Sequence, residues 1–309
     1  MGVIDWQLAI SLFLFVTLYG LFNSEINYLR ILQKFDRVVY LYIFQMIVAI
    51  MGLVLFNNGL NFKGVLLIVA LSHLCAILFF KLEARHRVLK NIKVDLIKEN
   101  IDCLKYAIPI TIIALANFTL SSMDQFFLKF YGFEHELSGY IANYNIAEKS
   151  VVFVLSVISL VFIPSVFKKY NKLTKDVYKD IGRAVGIFSA ISLVVVGILF
   201  LVKDWLVIIF TDIEYVEYSW LIPFIAFGGV FLGINSIISE VFTVAKNTLM
   251  LMYCYISGFI LNFILNFVFI PNYGIKGAVI TTICSYLGMM LITLYRIKVE
   301  YNRIKNYEV

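Results

Sequence analysis

The chain is poor in the residue types from which enzymes and metalloproteins build their active sites. It has three histidines, and its four cysteines, Cys75, Cys103, Cys254 and Cys284, lie far apart without a Cys-x-x-Cys pair. This spacing predicts no disulfide, metal or cofactor. The sequence also lacks a nucleophile elbow, a phosphate loop, an HExxH motif and a paired carboxylate dyad. These absences indicate a protein that is not an enzyme.

Charged residues are scarce, at 15%, whereas 61% of the residues are hydrophobic and the mean hydropathy is +0.90. A soluble domain of 309 residues has no interior large enough for this apolar surface. A membrane helix needs about 20 mostly apolar residues, and such stretches recur along the whole chain. The sequence therefore predicts an all-α polytopic membrane protein. We expect about nine transmembrane helices, near residues 6–23, 38–57, 60–80, 106–127, 138–166, 182–202, 219–243, 249–270 and 275–295.

Lys and Arg residues are concentrated in alternate loops. Of the 26 in the chain, 21 lie in segments 24–37, 81–105, 168–183 and 296–309 or at position 246. The positive-inside rule places these segments in the cytoplasm. It therefore predicts an external N-terminus with a very short external leader before the first span, and a cytoplasmic C-terminus. This distribution explains the net charge of +6 without nucleic acid as a partner.

Two stretches of the chain resemble each other, "NGLNFKGVLLI" (58–68) and "PNYGIKGAVIT" (271–281). Each lies between two predicted spans on the predicted outer side. Parallel repeats in a transporter imply two lobes related by an axis along the membrane normal, with a cavity between them. The alternative is that two hydrophobic hairpins share only their composition.

The segment "LKYAIPITIIALANFTLSSMDQFFLKFYGFEHELSGYIANYNIAEK" (104–149) resembles the start of the C-terminal lobe of Wzx-type polysaccharide flippases. These belong to the multidrug/oligosaccharidyl-lipid/polysaccharide exporter superfamily. The features that carry the resemblance are Tyr106, Pro109, a serine-bearing stretch, Asp124 and the pair Gly139 and Tyr140. "NFILNFVFIPNYGIKGAVITTICSY" (262–286) is similar to the eleventh and twelfth helices of the same family. The resemblance implies a two-lobed, MATE-like bundle.

Members of that family have twelve or more spans, and the nine predicted here correspond to the fourth to the twelfth. The resemblance therefore implies three regions. Residues 1–80 are what remains of an N-terminal lobe without its first three helices, and residues 81–105 are a basic cytoplasmic linker. Residues 106–309 are a six-helix C-terminal lobe with a cytoplasmic tail. A truncated, non-functional remnant is one alternative to an active flippase.

The resemblance implies a transporter that flips a polyprenyl-diphosphate-linked oligosaccharide across the bacterial plasma membrane, for O-antigen, lipopolysaccharide or capsule synthesis. Its partners would be the lipid-linked oligosaccharide, membrane lipids, a polysaccharide polymerase and glycosyltransferases. A multidrug or cation exporter of the same superfamily is an alternative, but cationic substrates favour acidic cavity groups. A polymerase is expected to have a large external loop and a membrane acyltransferase a catalytic His motif, and the sequence shows neither.

Glu148 and Lys149 are the deepest charges in any predicted span, and they share one helical stripe with Asn145 and Ser156. Ionisable groups at mid-depth normally face a protein interior or a wet cavity. A cation suits the phosphates of a lipid-linked sugar, and amides and hydroxyls suit its glycan. We therefore predict that Lys149, Glu148, Asn145 and Ser156 bind substrate. The alternative is that Glu148 and Lys149 neutralise each other and pack against a neighbouring helix.

Asp124 and Glu240 are candidates for ion coupling or gating. Asp124 lies 19 residues after Lys105, about 28 Å along a helix. This distance predicts a hydrated carboxylate at the outer interface and favours a boundary role over a proton site. Glu240 lies six residues before Lys246, close to the predicted cytoplasmic interface.

Three further polar side chains lie inside predicted spans. His73 is alone in its span, and we expect a hydrogen bond to a backbone carbonyl rather than a proton relay. Asn262 and Asn266 lie four residues apart on one helix face, which favours helix packing over sugar binding.

Overall fold

A computed structural model describes residues 5–31, 34–56, 61–79, 96–169 and 175–307, and every regular element among them is a helix. Eight of these helices are long and apolar enough to span a membrane. The all-α membrane fold expected from hydropathy is confirmed. The helices are α1 (Trp6–Ile31), α2 (Phe35–Leu55), α3 (Phe62–Phe79), α4 (Leu96–Phe130), α5 (Glu134–Lys169), α6 (Lys175–Phe210), a 3₁₀ helix (Ile213–Tyr218), α7 (Leu221–Val244) and α8 (Thr248–Tyr307).

Helix α8 contains two spans joined at a kink. Gly274 has φ 53° and ψ −130°, a conformation that glycine adopts far more readily than other residues, and Pro271 lies just before it. We therefore refer to residues 248–273 as α8N and residues 275–307 as α8C. Counted this way, the described residues contain nine spans, and the last break falls where the sequence predicts it, between residues 270 and 275.

Several helices are longer than the predicted spans. Helix α1 continues to Ile31, α4 begins at Leu96, and α6 covers Lys175–Phe210. Hydropathy marks only the part of a helix that lies in hydrocarbon, whereas backbone hydrogen bonding continues beyond the bilayer surface. Residues 81–95 of the predicted linker lie outside the described residues, and residues 96–105 belong to α4.

The chain divides into two compact units, residues 1–99 and 100–309. In the first unit α1, α2 and α3 pack around a small core that includes Phe22, Ile26 and Leu41. Asp5, just before α1, and Lys63, in the first turn of α3, form an ion pair of 2.5 Å. The hydrogen bond from Lys63 holds the pKa of Asp5 below its usual range.

In the second unit, α7 is the most buried helix, and α5, α6 and α8 pack against it. Its core consists of large apolar side chains from all four helices, including Phe188, Leu221, Ile222 and Ile270. Large apolar side chains such as Phe200 and Leu201 remain exposed on the outside. This pattern suits a bundle whose solvent is lipid, since lipid-facing positions need no polar residue.

Candidate functional site

A buried carboxylate lies at the junction of α4, α5 and α8C. The Asp124 side chain is 0% exposed, and its Oδ2 accepts a short hydrogen bond from the Tyr140 hydroxyl. Thr282 Oγ1 lies 3.1 Å from the same oxygen and 3.0 Å from Ala278 O, so its one proton serves either acceptor. Asp124 Oδ1 has no hydrogen-bond partner among the described residues.

The burial of Asp124 corrects the prediction of a hydrated boundary residue. Distance along the helix places Asp124 six residues before the end of α4, but it says nothing about what covers the side chain. Within the described residues no cationic side chain forms an ion pair with Asp124. A carboxylate removed from water without a counter-charge is unfavourable when ionised, so proton or cation uptake changes its energy strongly.

The start of α5, which carries Tyr140, packs closely against the 3₁₀ helix. A Cβ atom at Gly139 would lie 2.2 Å from Tyr218 Cδ2, so only glycine leaves room for the tyrosine ring of the 3₁₀ helix. One turn further along α5, Asn143 Nδ2 donates to Tyr215 O at 3.1 Å. These two contacts join the 3₁₀ helix to the first turns of α5, on either side of Tyr140 in sequence.

A line of polar groups continues along α5 from Tyr140. Tyr144 is buried, and its hydroxyl lies 3.3 Å from the Tyr286 hydroxyl of α8C. Both tyrosines and Glu148 line a small hollow between α5, α7 and α8C. Tyr140, Tyr144 and Glu148 recur every four residues and therefore share one helix face. Tyr144, Tyr286 and Thr282 are not among the residues predicted from the sequence, although the four-residue spacing was a signal for Tyr144.

Lys149 lies on a different side of α5 from Tyr144. Its side chain is 70% exposed, while that of Glu148 is 19% exposed, and Lys149 Nζ lies 3.0 Å from Glu148 Oε2. Lys149 and Asn145 line a cavity of about 910 Å³ between α5 and α6. The structure thus brings together two of the four predicted substrate-binding residues.

The other two predicted substrate-binding residues lie elsewhere. Glu148 faces the small hollow beside Tyr144, and Ser156 lines neither cavity. The Ser156 hydroxyl donates to Val152 O at 2.8 Å, and Asn145 Nδ2 donates to Ile141 O at 2.9 Å. These bonds use the Ser156 proton and one of the two Asn145 amide protons, so glycan binding by this stripe stays a prediction.

Glu240 is half-buried, one turn before the C-terminal end of α7, and its gating role stays a prediction. His73 Nδ1 lies 2.6 Å from Val69 O, which confirms the expected bond to a backbone carbonyl. Since a carbonyl only accepts, Nδ1 carries the proton.

Asn262 and Asn266 are fully buried in α8N. Asn266 Nδ2 donates to Asn262 Oδ1 at 3.0 Å, and Asn262 Nδ2 donates to Ser285 Oγ at 3.2 Å. Thr281 Oγ1 donates to Asn266 Oδ1 at 2.5 Å. The network joins α8N to α8C, which supports the packing role that the sequence favours. Within the described residues, no group of three or more His, Cys, Asp or Glu side chains is arranged to hold a metal ion.

Comparison with solved structures identifies the architecture. A MATE protein in the bent conformation has a TM-score of 0.74 at 15% identity, over 97% of this chain and 69% of that one. The outward-facing conformation of a multidrug resistance MATE family transporter of the MOP superfamily has a TM-score of 0.73 at 15% identity. The match covers 97% of this chain and 70% of that one. The lipid II flippase MurJ in its inward closed conformation has a TM-score of 0.60 at 20% identity. The match covers 92% of this chain and 60% of that one.

These likenesses establish a MATE-like fold, and with the spans above they describe a multi-pass membrane protein. No family model matches the chain, and no curated protein matches it.

Proposed function

We propose that this protein flips a polyprenyl-diphosphate-linked oligosaccharide from the inner to the outer leaflet of a bacterial plasma membrane, as a Wzx-type flippase does. Its product would supply O-antigen, lipopolysaccharide or capsule synthesis, with glycosyltransferases upstream and a polysaccharide polymerase downstream. The charge distribution of the loops supports an external N-terminus and a cytoplasmic C-terminus. A likeness to a structure named as a lipid II flippase is compatible with a lipid-linked substrate.

The observation that carries this proposal is the position of Lys149. It is an exposed cation in the middle of the span Glu134–Phe162, next to a large apolar cavity. A phosphate that crosses hydrocarbon without compensation meets a barrier of several kcal/mol per charge, on the order of the values measured for charged side chains. An ammonium at this depth lowers that barrier by pairing with the diphosphate.

We further propose that Asp124 couples transport to an ion. Both states of its carboxyl group find partners in the observed geometry. When ionised, Asp124 accepts from Tyr140 and Thr282. When protonated, it donates to Thr282 Oγ1, which then donates to Ala278 O. Oδ1 has no hydrogen-bond partner among the described residues, so it is the oxygen left to contact a monovalent cation, while a proton on Oδ2 is donated to Thr282.

Drug or cation export is the second candidate function, because Asp124 is a buried acid and the likeness to MATE transporters is strong. The two candidates differ in what they require of Lys149. A diphosphate substrate needs the cation, whereas a cationic drug is repelled by it.

The test is complementation of a bacterial strain that lacks its own polysaccharide flippase. We expect the unsubstituted protein to restore surface glycan and to deplete the lipid-linked intermediate on the inner leaflet. Lys149→Ala should abolish restoration with the protein still inserted. Lys129→Ala, which removes an exposed cation at the end of α4, is the matched control. Drug resistance without glycan export would favour the second candidate. The absence of both activities would indicate a non-functional remnant.

A further inference from the structure

The cavity beside Lys149 has an unusual combination of walls. Its volume is about 910 Å³, and most of its lining is apolar, including Phe153, Ile191, Val195 and Phe210. It lies wholly between α5 and α6 of the second unit. It is an open groove on the surface of the second unit rather than an enclosed void.

The polar residues on the cavity wall offer a ligand few donors. Besides Asn145, the hydroxyls of Ser150 and Thr211 each donate to the carbonyl four residues earlier, both at 2.7 Å. Lys149 differs, because its ammonium carries three N–H groups and one of them points to Glu148. The walls therefore suit a long apolar chain, and the rim suits one anionic group.

The depth of Lys149 distinguishes between anionic lipids. It lies 15 residues after the start of α5, about 22 Å along the helix, in a bilayer whose hydrocarbon is about 30 Å thick. A resident phospholipid keeps its phosphate at the membrane surface. An anionic group that reaches Lys149 is one in transit through the membrane.

On the α6 wall the cavity extends from Ile191 to Phe210, 19 residues or about 28 Å of helix. We propose that this cavity receives the polyprenyl chain of the lipid-linked substrate while Lys149 holds its diphosphate. The inference rests on the proposed function and adds a binding site for the isoprenoid portion. The protein then recognises the lipid carrier as well as its charged group.

The experiment measures binding to the full chain in phosphatidylcholine nanodiscs, with undecaprenyl diphosphate as the probe. Lys149→Ala and the cavity-filling pair Ile191→Trp with Val195→Trp should each weaken binding at least tenfold. The matched control is Leu193→Trp, because Leu193 is exposed on the same helix but lies outside the cavity lining. Equal binding by the filled variant and the control would overturn the proposal.

Two competitors separate the possible ligands. Inorganic diphosphate should compete at least a hundredfold more weakly than undecaprenyl diphosphate, and phosphatidylglycerol should not compete. Competition by inorganic diphosphate at the same concentration would show that the apolar wall is not used. Competition by phosphatidylglycerol would show that the site holds a resident lipid. Either result rejects the polyprenyl site.

A second measurement does not depend on the variants folding. Undecaprenyl diphosphate with a benzophenone in its chain should label α5 and α6 peptides that contain Phe153 or Phe210. Labelling spread over all exposed faces would reject the site. Lys149→Ala could lose export while the cavity-filled variant binds the probe and exports glycan normally. That result would reject the cavity as the polyprenyl site but leave the proposed function intact. If the unsubstituted protein neither binds the probe nor exports glycan, the proposed function fails.

Discussion

The Tyr140 hydroxyl donates a hydrogen bond to the Asp124 carboxylate, and no side chain of opposite charge among the described residues pairs with that carboxylate. The two residues belong to consecutive antiparallel helices and lie 16 residues apart in sequence. A neutral donor stabilises the anion without neutralising it. An Arg or Lys partner would instead balance the charge of Asp124 directly.

Tyr140→Phe should lower the free energy of unfolding by about 1–3 kcal/mol, because it removes one of the two hydrogen bonds that a buried carboxylate accepts. Thermal unfolding in detergent measures this loss. In an Asp124→Asn background the same substitution should be milder, since an amide oxygen is less unfavourable to leave unpaired than a carboxylate. Equal losses in both backgrounds would show that the hydrogen bond does not couple the two residues.

Asp124→Asn should remove the dependence of transport on the driving ion while the protein remains folded. The amide has nearly the same shape as the carboxyl group but cannot take up a proton or a counter-charge. The measurement is export in inverted vesicles under an imposed pH or Na⁺ gradient, with Gln125→Glu as a control that adds an acid next to the site. Unchanged gradient dependence in Asp124→Asn would contradict the coupling role.

Substitutions at Lys149 should rank by charge. We expect Lys149→Arg to keep much of the glycan export, Lys149→Gln to lose most of it, and Lys149→Glu to lose it entirely, since the substrate is an anion. Surface glycan per inserted protein is the readout. Glu148→Gln should retain export, because it removes an anion beside the cation. An order in which Lys149→Glu is the most active variant would instead indicate a cationic substrate.

Gly139→Ala should destabilise the second unit by about 1–3 kcal/mol, the usual effect of overpacking. The added methyl group collides with the Tyr218 ring. Adding Tyr218→Ala to Gly139→Ala should therefore recover most of the lost stability. Gly182→Ala in α6 is the matched control, because nothing lies within 4 Å of its Cβ position. Thermal unfolding compares the variants, and equal behaviour of Gly139→Ala and Gly182→Ala would show that the contact is not tight.

The hydropathy pattern predicted the class correctly, and its nine spans match those of the described residues once α8 is divided at Gly274. It was informative because the bilayer forces each spanning segment to satisfy its backbone hydrogen bonds internally, so every span can be identified from its own residues. The break in α8 was predictable for a similar local reason, since Pro271 and Gly274 disfavour a continuous helix at that point. The ends of α1, α4 and α6 could not be predicted, because hydropathy does not report helical turns outside the hydrocarbon.

The environment of the candidate residues was decided by tertiary contacts. Burial of Asp124 depends on Tyr140 and on Thr282, which is 158 residues away in sequence, and no local pattern encodes that approach. Asn145 and Ser156 lie on the predicted stripe, yet each side chain donates a hydrogen bond to a carbonyl of its own helix, which the sequence pattern does not reveal. Sequence periodicity determines which face of a helix a side chain occupies. Only the packing of other helices determines whether that face meets lipid, a cavity or a buried hydrogen-bond partner.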